Sequence, residues 1–100
     1  MADNVNHPAH YEGSTSLECI DVMEIAFGAE AVANFCLCNA FKYLWRYKNK
    51  NGREDLDKAA WYLNHYGRIC GKHEMPEKMS EQHYGLVQII VNARKEYKSD

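Results

Sequence analysis

Apolar residues recur along most of this chain at the spacing of amphipathic helices. Ile20, Met23 and Phe27, for example, follow one another at intervals of three and four residues, which places them on one face of a helix. Segments with this spacing span residues 16–27, 29–48, 53–70 and 81–97. No segment of useful length alternates apolar and polar residues as a strand does. The pattern therefore predicts a small all-α domain with four helices.

Turn and cap residues predict how the first three helices are joined. Thr15 and Glu18 have the spacing of a capping box at the start of the first helix, and Gly28 separates that helix from the second. Asn51-Gly52 is a good stop signal for the second helix. Because the loop there is short, the second and third helices are expected to pack as a central antiparallel hairpin.

The last third of the chain predicts a connector and a helix with spare apolar surface. Gly71 is expected to end the third helix, residues 72–79 to form the connector, and Ser80 to cap the fourth helix. Val87 and Val91 lie off the main apolar face of that helix. A small core often needs support from a second chain, so these residues predict a homo-oligomer. The alternative is that the two valines belong to a wide contact with the core.

Length and composition fit one domain covering residues 1–100, with residues 1–15 as an ordered N-terminal loop. Hydrophobic residues make up 46% and charged residues 26%, as in folded proteins. The formal net charge of −2 disfavours nucleic acid as a partner. No apolar run approaches the about 20 residues that span a bilayer, and the N-terminus is polar. A cytoplasmic protein with its cysteines as free thiols is expected.

The second helix carries a positive stripe that predicts an anion site. On a helical wheel, Asn39, Lys42, Tyr43, Arg46 and Lys50 fall within one arc, and the arc contains no acid. Lys42 and Arg46 are four residues apart, so both can reach one phosphate group. Neighbouring tyrosines can stack on a base. The alternative is a structural ion pair between Arg46 or Lys42 and a carboxylate such as Asp55 or Asp21.

The third helix carries a similar stripe, and its role is open. Asp55, Lys58, Tyr62, His65 and Tyr66 share one side of the wheel. If the hairpin forms, the two stripes either face one cleft or both face water as ordinary solvated helix faces. His7 and His10 extend the first alternative, since the N-terminal loop can close over such a cleft. In the second alternative these histidines belong to a loop held by Pro8.

The acidic row Glu18, Asp21 and Glu24 is a weaker candidate for a metal site. Its spacing of three places the carboxylates along one side of a helix, where they can hold Mg²⁺ if a facing helix adds further acids. The alternative is a solvated acidic face. The chain has no glycine-rich P-loop.

Four blocks of residues together resemble one family of short phage-encoded proteins, long catalogued as a domain of unknown function. The blocks are residues 6–11 (NHPAHY), 18–21 (ECID), 39–47 (NAFKYLWRY) and 50–63 (KNGREDLDKAAWYL). The characterised relative of that family is the early nucleotide kinase of T-seven-like coliphages, which phosphorylates deoxynucleoside monophosphates without a P-loop. Cys38 departs from the pattern, which has Gly there, and this chain looks shorter than the kinase.

The resemblance implies a nucleotide-binding protein in the cytoplasm of an infected bacterium, with Mg²⁺ as a companion of the nucleotide. A nucleoside monophosphate kinase is the leading hypothesis. A non-catalytic protein that sequesters nucleotide second messengers of host defence and a Mg²⁺-dependent all-α nucleotide pyrophosphohydrolase are the alternatives. The family's positions that match this chain are the implied ligand-binding residues, namely His7, His10, Tyr11, Lys42, Tyr43, Arg46, Lys50, Asp55, Lys58, Trp61 and Tyr62.

Overall fold

The structure, a computed structural model, describes residues 18–98, and within them the chain is helical throughout apart from short connections. The helices are α1 (Cys19–Phe27), α2 (Ala29–Arg46), α3 (Arg53–Lys72) and α4 (Glu77–Lys98), and a single 3₁₀ turn, Tyr47–Asn49, follows α2. No strand occurs in this range. The prediction of an all-α fold with four helices is confirmed.

The central hairpin forms as predicted, and a glycine makes its turn. Gly52 has a φ of 56°, a left-handed value that residues with a Cβ rarely adopt. Its N–H donates to the carbonyl of Tyr47 at 2.9 Å, which closes the loop. The start of α3 then lies beside the end of α2, as the pairing of Asp55 with Arg46 shows. The two helices therefore run antiparallel.

Two predicted boundaries in the last third of the chain are wrong. Gly71 lies inside α3, which ends at Lys72, because a glycine costs a helix only about 1 kcal/mol and packing outweighs this. The fourth helix begins at Glu77 rather than after Ser80. Pro76 precedes its first turn, a place where proline is tolerated because the missing N–H would have no helical partner. Met79, assigned to the connector, is buried.

The core lies between α2 and α3 and is closed by α1 and α4. Its largest fully buried side chains are Leu56, Ile69, Val32, Asp55 and Cys36. Burial raises the pKa of the Cys36 thiol to about 12, so this cysteine stays a protonated core residue. All four cysteines are free thiols, as predicted.

The outer surface departs from the helical wheel at two apolar residues. Phe41 lies on the side of the second helix opposite the positive stripe, and Ile89 lies on the apolar face of the fourth helix, yet both are largely exposed. Val87 packs against the core, whereas Val91 is exposed. Within residues 18–98, no helix combines the length and the hydropathy that crossing a bilayer requires.

Candidate functional site

Three cationic side chains converge on one tyrosine ring at the hairpin. The Nζ atom of Lys42 lies 4.5 Å from the centroid of the Tyr43 ring, the Cζ atom of Arg46 lies 5.1 Å from it, and the Nζ atom of Lys58 lies 5.6 Å from it. We call Lys42, Arg46 and Lys58 the cation cluster. Cations are attracted to the face of an aromatic ring, so Tyr43 holds the positive charges together. Both helices of the hairpin contribute to the cluster.

A buried carboxylate fixes Arg46. The Nε atom of Arg46 donates to Oδ2 of Asp55 at 3.3 Å, and its Nη2 atom donates to Oδ1 at 3.4 Å. The Asp55 side chain is fully buried, while that of Arg46 is 35% exposed. The backbone N–H of Asn51 also donates to Oδ2 of Asp55, at 3.2 Å. The carboxylate therefore ties the end of α2, the turn and the start of α3 together.

The ionisation of Asp55 follows from these partners. Burial by itself raises the pKa of this carboxyl group, but the hydrogen bonds from Arg46 and Asn51 and the charge of Arg46 outweigh it. The pKa of Asp55 is therefore below its usual value, and the group is a carboxylate at neutral pH.

The cations differ in how they are compensated. Arg46 is paired with Asp55, which is the structural ion pair that the sequence offered as the alternative to a ligand role. Lys58 pairs with Glu54 at 3.0 Å, one turn earlier on α3. Lys42 makes no ion pair with any described residue and is exposed. The cluster carries three positive charges against two negative ones, and its excess charge is at Lys42.

Aromatic rings continue from the cluster along α3. Tyr43 stacks on Tyr62, with ring centroids 6.1 Å apart and planes 15° apart. The edges of Phe35 and Trp61 meet Tyr62, with centroid distances of 5.9 and 5.1 Å. Trp61 and Tyr62 are half-buried, so this row of rings reaches the protein surface next to Tyr43. Phe35 is a member of this group that the sequence did not single out.

His65 is buried, although the sequence placed it on the polar stripe of the third helix. Neither nitrogen of its ring has a hydrogen-bond partner among residues 18–98, and the ring stacks on Trp61 with centroids 5.4 Å apart. Burial and, to a smaller extent, the charges of Arg68 and Lys72 lower the pKa of His65. The charges of Asp21 and Glu24 on α1 oppose this change but do not outweigh it. Tyr66, also assigned to the stripe, is buried and stacks on His83 of α4.

We expect the neutral state of His65 to make stability depend on pH. The unfolded chain takes up a proton near pH 6.5, whereas the folded chain does so only at lower pH, so the free energy of unfolding falls as pH drops below about 6.5. Leucine binds no proton, so the free energy of unfolding of the His65→Leu variant should change less with pH than that of the wild type. Urea unfolding at pH 7.5 and 5.5 measures this change. An equal change in the two proteins would contradict the assignment.

The acidic row is used in helix capping and pairing. Glu18 is the N-cap of α1, where it forms a capping box with Asp21, and its backbone N–H donates to Oδ2 of Asp21 at 3.2 Å. Glu24 lies 3.4 Å from Nε2 of His73. The described residues include no group of three or more ligands arranged for a metal ion. The predicted capping residue Thr15 lies outside the described residues.

The structure brings together most of the ligand-binding residues that the resemblance implies. Lys42, Tyr43, Arg46, Asp55, Lys58, Trp61 and Tyr62 form one continuous surface or its direct support. Lys50 is exposed in the turn, beyond the end of α2, and so does not extend the helical stripe. His7, His10 and Tyr11 lie outside the described residues, and their role stays a prediction.

Comparison with known proteins assigns the part of the chain that carries this surface to a family. The profile of a family described as a protein of unknown function, DUF3310, matches residues 5–64. The chain belongs to the DUF3310 family. The DUF3310 region includes the cation cluster, Asp55 and the aromatic rings beside them, and it ends before α4. No solved structure matches the chain.

A phage protein is similar to this DUF3310 chain. The Gene 1.7 protein of Enterobacteria phage T3 is 30% identical to it over 73 residues, which are 73% of this chain and 45% of that protein. This DUF3310 chain therefore matches less than half the length of the phage T3 protein. The predicted relation to a phage family of unknown function is confirmed, and the relation to a nucleotide kinase stays a prediction.

Proposed function

We propose that this protein binds a nucleotide, with the phosphate at the cation cluster. The observation that carries the proposal is the convergence of Lys42, Arg46 and Lys58 on the Tyr43 ring, 4.5–5.6 Å from its centroid. Bringing three cations together is unfavourable unless anions compensate them. The carboxylates of Asp55 and Glu54 balance two of these positive charges, and a phosphate group balances the third.

The pairing of Arg46 supports this assignment. Asp55 engages the Nε and Nη2 atoms, so the Nη1 atom keeps donors for a ligand. A guanidinium held by a buried carboxylate is already oriented, which lowers the entropy lost when it binds a phosphate. Asp55 in this proposal is a positioning residue behind Arg46. Lys42 and Lys58 act as point charges on either side.

The neighbouring rings suit the nucleoside. A base that stacks on a half-buried aromatic side chain gains about 1–3 kcal/mol, and Tyr62 and Trp61 lie directly beyond the ring that holds the cations. The ligand thus has a charged end at the cluster and a flat apolar end on α3.

The specific reaction we propose is phosphoryl transfer to a nucleoside monophosphate. It rests on the resemblance to the phage nucleotide kinase and on the cluster, because this reaction depends mainly on positioning and on cations that stabilise the transferred group. The γ-phosphoryl group of ATP would pass to the phosphate of a deoxynucleoside monophosphate, giving ADP and the deoxynucleoside diphosphate. Mg²⁺ would enter with the ATP.

Two measurements on the same preparation test binding and reaction separately. Thermal shift against mono-, tri- and cyclic nucleotides ranks ligands, since the shift grows with ligand excess over Kd. Chromatography of deoxynucleoside monophosphates incubated with ATP and Mg²⁺ detects the diphosphate product. We expect both binding and product. Binding of a cyclic nucleotide without turnover would replace the kinase by a sequestering function, and the absence of any shift would refute nucleotide binding.

A further inference from the structure

A second surface, on the outer side of α2, is apolar and unrelated to the cation cluster. A groove of about 520 Å³ runs between α2 and α4. Leu37, Cys38 and Phe41 line it from α2, and Leu86 and Ile89 line it from α4. Gly85 also lines it, and the space beside this residue is open, since a Cβ there would meet nothing within 4 Å.

An aromatic ridge stands at the edge of this groove. Trp45 stacks on Phe41, with ring centroids 6.1 Å apart and planes 25° apart. Trp45 is 79% exposed, Phe41 53% and Ile89 49%, although residues of these types are usually buried in a small domain. Of the described residues that line the groove, Glu81 alone is charged. Low charge and exposed aromatic rings are typical of the centre of a protein interface.

The size of the surface matches one side of a protein dimer. A whole aromatic side chain offers about 150–250 Å², so Trp45 and Phe41, at 79% and 53% exposure, supply about 200–330 Å² together. Ile89 on the groove wall brings the apolar area to about 300–400 Å². A standard interface buries about 800 Å² per partner, of which a little over half is apolar. The area is therefore close to what each copy contributes to a stable dimer.

The shape also favours a second copy of this chain over an unrelated protein. In a two-fold dimer the same patch of both subunits must fit itself, which requires a protruding part and a receiving part within one patch. The Phe41–Trp45 ridge and the adjacent groove supply the two parts. We propose that this protein self-associates through this face, with the Phe41–Trp45 ridge of each copy packed against the α2–α4 groove of the other.

Sedimentation velocity of the full chain between about 1 and 100 µM tests the proposal, since interfaces of standard size have Kd values of roughly micromolar or lower. No nucleotide is added, so the result is independent of the proposed function. We expect the wild type to sediment with at least the mass of a dimer. Trp45→Glu should weaken association by at least tenfold, since it buries a charge in an apolar contact. Circular dichroism should show an unchanged fold because Trp45 is an exposed residue.

Tyr84 provides a matched control. It is an exposed aromatic residue, at 66%, on α4, but it does not line the groove. Tyr84→Glu should associate like the wild type. A wild type that is monomeric at the highest concentration would overturn the proposal. So would a Trp45→Glu variant that associates as strongly as the wild type, or a Tyr84→Glu variant that dissociates equally.

Discussion

Replacing Asp55 with Ala is expected to cost the folded state about 2–3 kcal/mol. The change removes a fully buried acceptor of three hydrogen bonds, and it leaves the Arg46 guanidinium and the Asn51 N–H without this partner. Breaking a fully buried ion pair costs about 3–5 kcal/mol. We expect less here because Arg46 is 35% exposed and water can solvate it. Urea unfolding at pH 7 measures the loss.

Asp57 is the matched control for this experiment. It lies on the same helix and pairs with Arg94 at 3.0 Å, but both side chains are about half exposed. An exposed pair of this kind contributes about 0–1 kcal/mol, so Asp57→Ala should change the free energy of unfolding little. Equal losses for the two variants would show that Asp55 does not hold the hairpin turn together.

Acid should weaken the folded state through the same residue. The pKa of Asp55 is lowered on folding, so the folded state binds its proton less readily than the unfolded state. The resulting stabilisation is fully present above the unfolded pKa of about 3.9 and is lost as pH falls through the folded pKa. The Asp55→Ala variant should lack this part of the acid-induced loss.

The sequence was sufficient for the hairpin but not for every helix end. Gly52 and the helical spacing on both sides of it determine the turn locally, so the hairpin could be predicted. The start of α4 depends on whether Pro76 interrupts a helix or precedes one, and proline is compatible with both. Only the packing of Met79 into the core decides between them.

Burial on α2 and α3 also required the tertiary structure. His65 and Tyr66 have polar atoms, so a wheel places them outside, yet each is mostly ring and packs well once a neighbour covers it. The stacking of Tyr66 on His83 shows that α4 covers Tyr66. Phe41 gives the opposite case, since α4 leaves it exposed at the groove. A wheel shows direction around a helix but not where the neighbouring helix ends.

For the candidate site, the sequence indicated the residues but left open whether Arg46 pairs with a carboxylate such as Asp55 or binds a ligand. The cations of α2 and the aromatic residues of α3 were named from spacing and resemblance, and the structure places them together. The ion pair between Arg46 and Asp55 depends on the register of the hairpin, which a wheel of either helix alone does not contain. Because Arg46 is part of this pair, a substitution of Arg46 affects stability as well as ligand binding.

Lys42 offers a test of ligand binding that breaks no ion pair, because it is exposed and pairs with no acid among the described residues. We expect Lys42→Ala to weaken nucleotide binding about 10- to 100-fold, in line with about 1.5–3 kcal/mol for a hydrogen bond to a charged group, and to leave stability unchanged. Lys95, an exposed lysine of α4, is the control, and Lys95→Ala should bind normally. Calorimetric titration with the tightest ligand of the thermal-shift screen measures both.

Arg46 should behave differently, because its loss affects the ligand and the fold together. Arg46→Ala is expected to weaken binding by a similar factor, but also to lower the free energy of unfolding, since the buried Asp55 carboxylate loses its cation. Arg46→Lys restores the charge without the planar guanidinium group, so it should recover only part of the nucleotide affinity and only part of the free energy of unfolding. If Lys42→Ala binds as well as the wild type while Arg46→Ala is merely less stable, the cluster is a structural device that supports the hairpin, and the phosphate site is elsewhere.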